Sequence, residues 1–330
     1  MKRVFSVVLV VLLVLSIGSC GNSSSSAGAG ASGEGSTVQK EYRFVMIPIL
    51  AQAWFDIVYN ASVEMADHLG AMTGTKITID YQAPATADLV LQSELIERAI
   101  ATQPDGIAID SIDVEAQMPL FQEAKRRGIP VILYVNVAPT ESGIPYTGND
   151  FYEQGYFQGE ELMKRINYRG KVAIIHGVPT NQPHAERFRA LNDVFAKYPN
   201  VQLVATAFDY DDIENAAREA AAILSAHPDL AGFGCCDAAT GPGIGQALKE
   251  AGKKPGDVKF VGIDDLPQLQ ELMRDGWLDL SAATQPNSLG RWCVISLFME
   301  KNGVPPVTYF DTKFAVLTPD MVKDGIIKGF

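Results

Sequence analysis

Cysteine is scarce in this chain. Its 330 residues hold four, and only Cys235, Cys236 and Cys293 come after residue 20. Three such residues make no disulfide framework. No CxxC pair occurs, and no histidine stands at metal-ligand spacing to a cysteine, so no metal site is expected. Basic clusters are missing as well. A formal charge of −12 disfavours nucleic acid or an anionic membrane face as the main partner. There is no G-x-S-x-G elbow, no Walker A loop and no HExxH, so the common signatures of hydrolases, NTPases and zinc peptidases are excluded. After the first twenty residues no apolar run is long enough to span a bilayer. What remains is ordinary globular composition, 47% hydrophobic and 20% charged, with room for one large or two medium domains.

The N-terminus is built differently from the rest. Lys2 and Arg3 precede an apolar run over residues 4–15, then "LSIGSC". Small residues before a cleavage point mark an export signal, expected over residues 1–19. The run ending at Cys20 resembles the lipobox of bacterial lipoproteins. That resemblance implies cleavage before Cys20 and lipidation of its sulfur, with an ordinary signal peptide as the alternative. "GNSSSSAGAGASGEGS" follows and cannot bury apolar surface, so residues 20–41 are expected as a flexible leash of roughly 25 Å r.m.s. reach.

From Tyr42 onward, short β-rich apolar runs alternate with segments of helical period. "YRFVMIPI", "DGIAID", "PVILYV", "KVAIIHG", "VQLVATAF", "LAGFGCC", "VKFVGID" and "LDLSAAT" are among the expected strands. Helices are expected near 55–69, 89–101, 115–127, 153–165, 185–198, 213–226, 243–252 and 266–275. Continuous apolar strands joined by helices imply parallel sheets covered on both faces, an α/β fold. "AIATQPDGIAID" and "ILSAHPDLAGFG" form a faint repeat, one copy in each half, and suggest two lobes of like topology. Ligands of such sheets bind beyond the carboxyl ends of the strands. Polar or aromatic residues follow nearly every strand there: Gln52, Trp54 and Phe55; Asp110 and Asp113; Asn136; Gln182, His184 and Arg187; Tyr210; Asp237; Asp264 and Asp265; Thr284 and Gln285.

In their order and spacing, "AWFDIVYNASVEMADHLG", "QPDGIAID", "RRGIPVILYVN", "GNDFYEQGYFQGEEL", "AERFRAL", "AHPDLAGFGCCDAA", "ALKEAGK" and "VGIDDLP" resemble the type I periplasmic binding proteins of ABC sugar importers, the ribose- and galactose-binding group. The resemblance implies two Rossmann-like lobes with parallel sheets joined by a three-strand hinge. The lobes would be 42–147 plus 285–312, and 148–284 plus 313–330. It implies a ligand held by Gln52, Trp54, Phe55, Arg187, Tyr210, Asp237 and Asp264; Asp113, from its place after a strand, is a further candidate, with a helix cap as its alternative role. Three departures bear on the ligand. Asn136 replaces the ribose-type arginine, Cys236 replaces an asparagine, and Thr284 with Gln285 stands at the last crossover. Aromatic rings cover the apolar faces of a sugar, and carboxylates, amides and an arginine satisfy its hydroxyls.

The expected protein is therefore an exported, lipid-anchored monomer. It would capture a carbohydrate or polyol for an ABC permease, with no cofactor, no metal and no covalent chemistry. Presentation of the ligand to a chemoreceptor or sensor kinase is the alternative output, and an exported enzyme is a third class. One stretch, "GFGCCDAATGPGIGQAL", offers competing readings. Its glycines imitate a dinucleotide fingerprint, but "CDAAT" separates them from the strand and Pro242 interrupts them. Cys235 and Cys236 read as small strand-end residues, as a vicinal disulfide or as metal ligands.

Overall fold

The computed structural model describes residues 40–324. The expected leader, Cys20 and nearly all of the leash lie outside the described residues. In chain order the first half holds β1 (Glu41–Ile47), α1 (Ala53–Thr73), β2 (Lys76–Tyr81), α2 (Leu89–Ala101), β3 (Gly106–Ile109), α3 (Val114–Arg126), β4 (Val131–Tyr134) and β5 (Tyr146–Gly148). The second holds α4 (Phe151–Arg165), β6 (Gly170–His176), α5 (Gln182–Ala196), β7 (Val201–Phe208), α6 (Ile213–Ala226), β8 (Leu230–Cys235), α7 (Thr240–Glu250), β9 (Lys259–Phe260), β10 (Gly262–Ile263), α8 (Pro267–Arg274) and β11 (Ser281–Ala283). Then come α9 (Pro286–Lys301), β12 (Tyr309–Asp311), β13 (Ala315–Leu317) and α10 (Pro319–Lys323).

Six parallel strands in the order β12-β5-β4-β3-β1-β2 form the first sheet. Its central strands β3 and β4 are buried along their whole length. Alternate side chains feed two clusters. Ile107, Ile109, Val131 and Leu133 meet Phe121 of α3 on one face. Ala108, Ile132 and Tyr134 meet Val58 of α1 and Leu297 of α9 on the other. A second parallel sheet runs β7-β6-β8-β9, and β10-β11-β13 continues beside it with β13 antiparallel. This is an α/β fold with two parallel sheets.

The chain passes between the halves three times: from β5 into α4, from β11 into α9, and from β12 into β13. Helix α9 and the strands after it were not among the elements expected from the sequence. "VKFVGID" is also not one strand. Gln158 Nε2 takes the Val261 carbonyl at 2.8 Å, and β9 and β10 on either side join different sheets.

Helix starts follow local chemistry. Asp88, Asp113, Asp150, Asn181 and Asp212 each accept a backbone N–H at the first turn of α2, α3, α4, α5 and α6. Such caps satisfy donors that a helix N-terminus leaves unpaired. The glycine run lies inside α7 rather than ahead of it. A Cβ at Gly243 would strike Ala216 and Ala217 of α6, and one at Gly245 would strike Leu272 of α8. These glycines allow helices to approach, which is a packing role and no phosphate cradle.

Candidate functional site

Strand carboxyl ends of the two halves meet. Trp54 Nε1, at the start of α1, donates to Thr284 Oγ1 beyond β11 at 3.3 Å. Val137 N, beyond β4, donates to Gln182 Oε1 at the start of α5 at 3.0 Å. Among the described residues, four of the eight non-glycine residues with positive φ lie at these strand ends: Val135 (65°), Tyr210 (59°), Asp211 (62°) and Asp264 (62°). Left-handed backbone costs such residues about 1–3 kcal/mol each, and strain of this kind collects where a ligand is held.

Arg187 is the centre of the second-half group and is only 3% exposed. Its Nε donates to Gln154 Oε1 at 3.0 Å and its Nη1 to the Cys236 carbonyl at 3.0 Å. A guanidinium has five N–H donors, so the fork is not exhausted. Burial lowers the Arg187 pKa from its ordinary value, and the charges of Asp264, Asp237 and Asp211 oppose that shift. Gly155 makes this placement possible, since a Cβ there would lie 2.6 Å from the Arg187 Cα. Asp264 Oδ1 accepts from Thr284 N at 2.8 Å and from the Thr284 hydroxyl. The Thr284 side chain thus joins Asp264 to Trp54. Asp211 is exposed at its surface, yet protein surrounds its carboxyl. Desolvation, then Asp209 and Asp264, push it up to about 6.

In the first half, Asn136 Nδ2 donates to Asp110 Oδ1 at 2.7 Å. Asp110 is fully buried, and its Oδ2 has no hydrogen-bond partner. Burial pushes it up to about 8, against the lowering effect of Asn136. An acid whose folded pKa is raised stabilises the fold at low pH and loses that contribution as pH rises through the folded value. Asp110→Asn is therefore expected to flatten the fall in stability between the ordinary carboxylate value of 3.8 and about 8, read as melting temperature against pH.

The other expected site residues fall into two sets. Gln52 is exposed, and its side chain caps nothing. Trp54 is half-buried and Tyr210 is 61% exposed, so both rings offer surface. Phe55, by contrast, packs in the cluster beneath α1, edge-on to Trp54. Asp113 caps α3 through Ala116 N. Asp237 is 1% exposed and braces the turn into α7, its Oδ1 accepting from Ala239 N and Thr240 N. The Gln285 amide bonds the Thr312 carbonyl at 2.7 Å, across the β12–β13 passage. Cys236 meets Arg187 through its carbonyl, while its side chain packs with Leu191 and Val194.

Cys235 packs with Ile244 and Leu248 on the opposite face of the sheet, and both thiols are free. Burial drives both thiol pKa values well up. His184 accepts from Val178 N, and burial pushes it down to about 3, leaving it neutral.

Sequence reasoning missed Gln154 and Gln158. Gln154 links Asn149, Arg187 and the Ala282 carbonyl of β11. Their signal was the repeat "QGYFQG" on α4, where two Gln-Gly pairs four residues apart sit on a buried face.

A family model described as a periplasmic binding protein domain matches residues 44–303. The chain belongs to the periplasmic binding protein family. A D-allose-binding periplasmic protein of Escherichia coli is 30% identical over 261 residues, covering 76% of this chain and 81% of that one. A xylose/arabinose-binding protein of Sulfolobus acidocaldarius is 25% identical, and the match spans 65% of this periplasmic binding protein and 56% of the relative. The crystal structure of an ABC transporter solute-binding protein from Burkholderia graminis, in complex with D-arabinose, aligns with a TM-score of 0.78 at 26% identity. That alignment covers 86% of this chain and 96% of that one. Among the described residues no helix is long and apolar enough to cross a membrane.

Proposed function

We propose that this protein captures a neutral monosaccharide or polyol between its two lobes and delivers it to an ABC importer in the membrane. The carrying observation is that strained strand ends of the second half surround one buried arginine, while the Trp54–Thr284 and Val137–Gln182 hydrogen bonds bring strand ends of the first half against them. Trp54 and Tyr210 supply ring faces. Arg187, Asp264, Asn136 and Gln52 supply hydrogen-bonding groups for a belt of hydroxyls. The relatives named for xylose, arabinose and allose support a sugar. In this reading the lobes are 42–147 with 285–312, and 148–284 with 313–330. They close about the three chain passages, as two-lobed binders do. The leader would direct export, and a lipid on Cys20 would hold the monomer outside the cytoplasm.

The surroundings of Arg187 set the charge of the ligand. Asp264 and Asp211 already compete for the one guanidinium, so a carboxylate or phosphate on the ligand would meet like charge. A thermal-shift panel of pentoses, hexoses, sugar alcohols, hexuronates and sugar phosphates tests this. A neutral member is expected to raise the melting temperature, because a ligand at 100 times its Kd adds about 2.7 kcal/mol. Hexuronates and sugar phosphates are expected to leave the melt unmoved. A panel with no neutral sugar or polyol effect would overturn the carbohydrate reading, and retained sugar uptake in a deletion strain would overturn the transport role.

A further inference from the structure

Asp209 and Asp237 end up in a place where two carboxylates should not sit together. They lie 28 residues apart in the chain, at the ends of β7 and β8, and are 0% and 1% exposed. Both converge on Thr240 at the start of α7. Asp237 Oδ1 accepts from Thr240 N at 3.0 Å, and Asp209 Oδ2 accepts from Thr240 Oγ1 at 2.7 Å. The second oxygen of Asp237, Oδ2, is buried and meets no donor. It lies against Gly177, beside His184 Nδ1, and that nitrogen is itself accepting from Val178 N. An acceptor facing only acceptors is costly unless it carries a proton of its own.

We propose that Asp209 and Asp237 share one proton, carried on Asp237 Oδ2 and donated to the Asp209 carboxyl, and that this bond positions the Tyr210–Asp211 turn. The turn depends on Asp209 directly. Asp209 Oδ1 accepts from Asp211 N at 3.0 Å, and the Asp209 carbonyl accepts from Asn215 Nδ2 at 3.3 Å. Tyr210 and Asp211 both hold left-handed backbone, so an anchor on their N-terminal side is what keeps them there. Asp209 is thus a positioning residue, acting through the turn. Its effect on ligand rests on the sugar-binding reading above; the shared proton does not.

Charged and titratable groups surround the pair on several elements. From β6, His176 faces Asp209; from α5 come His184, held neutral, and Arg187. The turn after β7 adds Asp211, the end of β8 adds the Cys235 and Cys236 thiols, and the end of β10 adds Asp264 through Asp211 and Arg187. Only Arg187 is a fixed cation, and Asp264 and Asp211 already compete for it. Burial and the neighbouring Asp209 accordingly raise the Asp237 pKa well above the carboxylate range, and burial raises Asp209 too.

The test uses the protein free of ligand, with its aspartates labelled for carboxyl carbon NMR. One resonance, lost in Asp237→Asn, is expected to report a protonated carboxyl at neutral pH and to titrate on the alkaline side. A raised folded pKa means stability is greatest at low pH, falls between the unfolded and the folded pKa, and levels off above the folded one. One retained proton changes the folding constant tenfold per pH unit. Asp237→Asn keeps the N–H bonds at Oδ1 and offers an amide N–H to Asp209, so its stability–pH slope should be shallower by that one proton. D-Arabinose and D-allose then serve as probes of positioning. Wild-type affinity for whichever binds should weaken about tenfold across the same titration.

An Asp237 resonance that is ionised at neutral pH would falsify the shared proton, as would an unchanged slope in the variant. An affinity flat across the titration would overturn the positioning role. If neither sugar binds at any pH, the sugar reading loses support while the resonance still decides the proton. The wild-type NMR needs no variant to fold.

Discussion

Arg187→Leu is expected to abolish measurable sugar binding and to destabilise the fold by about 3–5 kcal/mol. The side chain is buried, and three acids, Asp264, Asp237 and Asp211, lean on its charge. Leucine is close in bulk, so the loss is electrostatic. The Cys236 carbonyl loses its Arg187 donor, Gln154 Oε1 keeps only Asn149 Nδ2, and the carboxyls lose their cation. Truncating one side of a buried charge pair weakens binding by about 2–5 kcal/mol, roughly thirtyfold or more. The sign of the pH dependence follows. Without the guanidinium, the surrounding acids hold their protons more tightly in the folded state. The variant should then be least stable at high pH and recover as the acids protonate. Denaturant melts across pH, with calorimetric titration of the best sugar, check both parts. Arg187→Lys separates them: it keeps the charge but not the fork, so it should recover stability more than affinity. Affinity equal to wild type in both variants would place the ligand elsewhere.

Gly290→Ala carries the second large effect, and its cause is helix packing. Helix propensity alone favours alanine by about 0.8–1.0 kcal/mol. The packing reverses the sign. A Cβ at Gly290 would collide with the Val58 carbonyl and come within 3.0 Å of Ser62 N, both backbone atoms of α1. Ser62 Oγ, which donates to the Gly290 carbonyl at 3.1 Å, would be displaced as well. Backbone cannot swing aside as a side chain can, so the cost belongs at the upper end of overpacking, about 3 kcal/mol. A body of this size should lose roughly 6–12 °C in melting temperature. The same shift would move the start of α9, next to Thr284, so ligand affinity should fall with it. An unchanged or higher melting temperature would show that α1 and α9 do not approach so closely.

Residues near one another in sequence announced much of this protein. Apolar β-rich runs such as "DGIAID" and "PVILYV" became fully buried central strands, because only a strand covered on both faces tolerates unbroken apolarity. Aspartates before helical segments became caps, because their short carboxyls reach their own first turn. Period-two geometry also bore on the vicinal cysteines. Neighbours on a strand point to opposite faces, and Cys235 and Cys236 do so. Arg187 was legible from its place early in the helix after a strand.

Partnerships between distant residues were not legible, since they depend on which strands become neighbours. Asp110 and Asn136 were both visible at strand ends, but only the adjacency of β3 and β4 makes them a bonded pair. Gln154 looked like one polar residue on a helix until the return of β11 put the Ala282 carbonyl within 2.8 Å. Asp237 was read as an acid facing a ligand. The strand order β7-β6-β8 instead brings it with Asp209 onto Thr240. Local chemistry decided the elements, because propensity, caps and periodicity act within a few residues. Long-range pairing decided the site, because a buried polar atom takes its partner from whatever the sheets bring within about 3 Å.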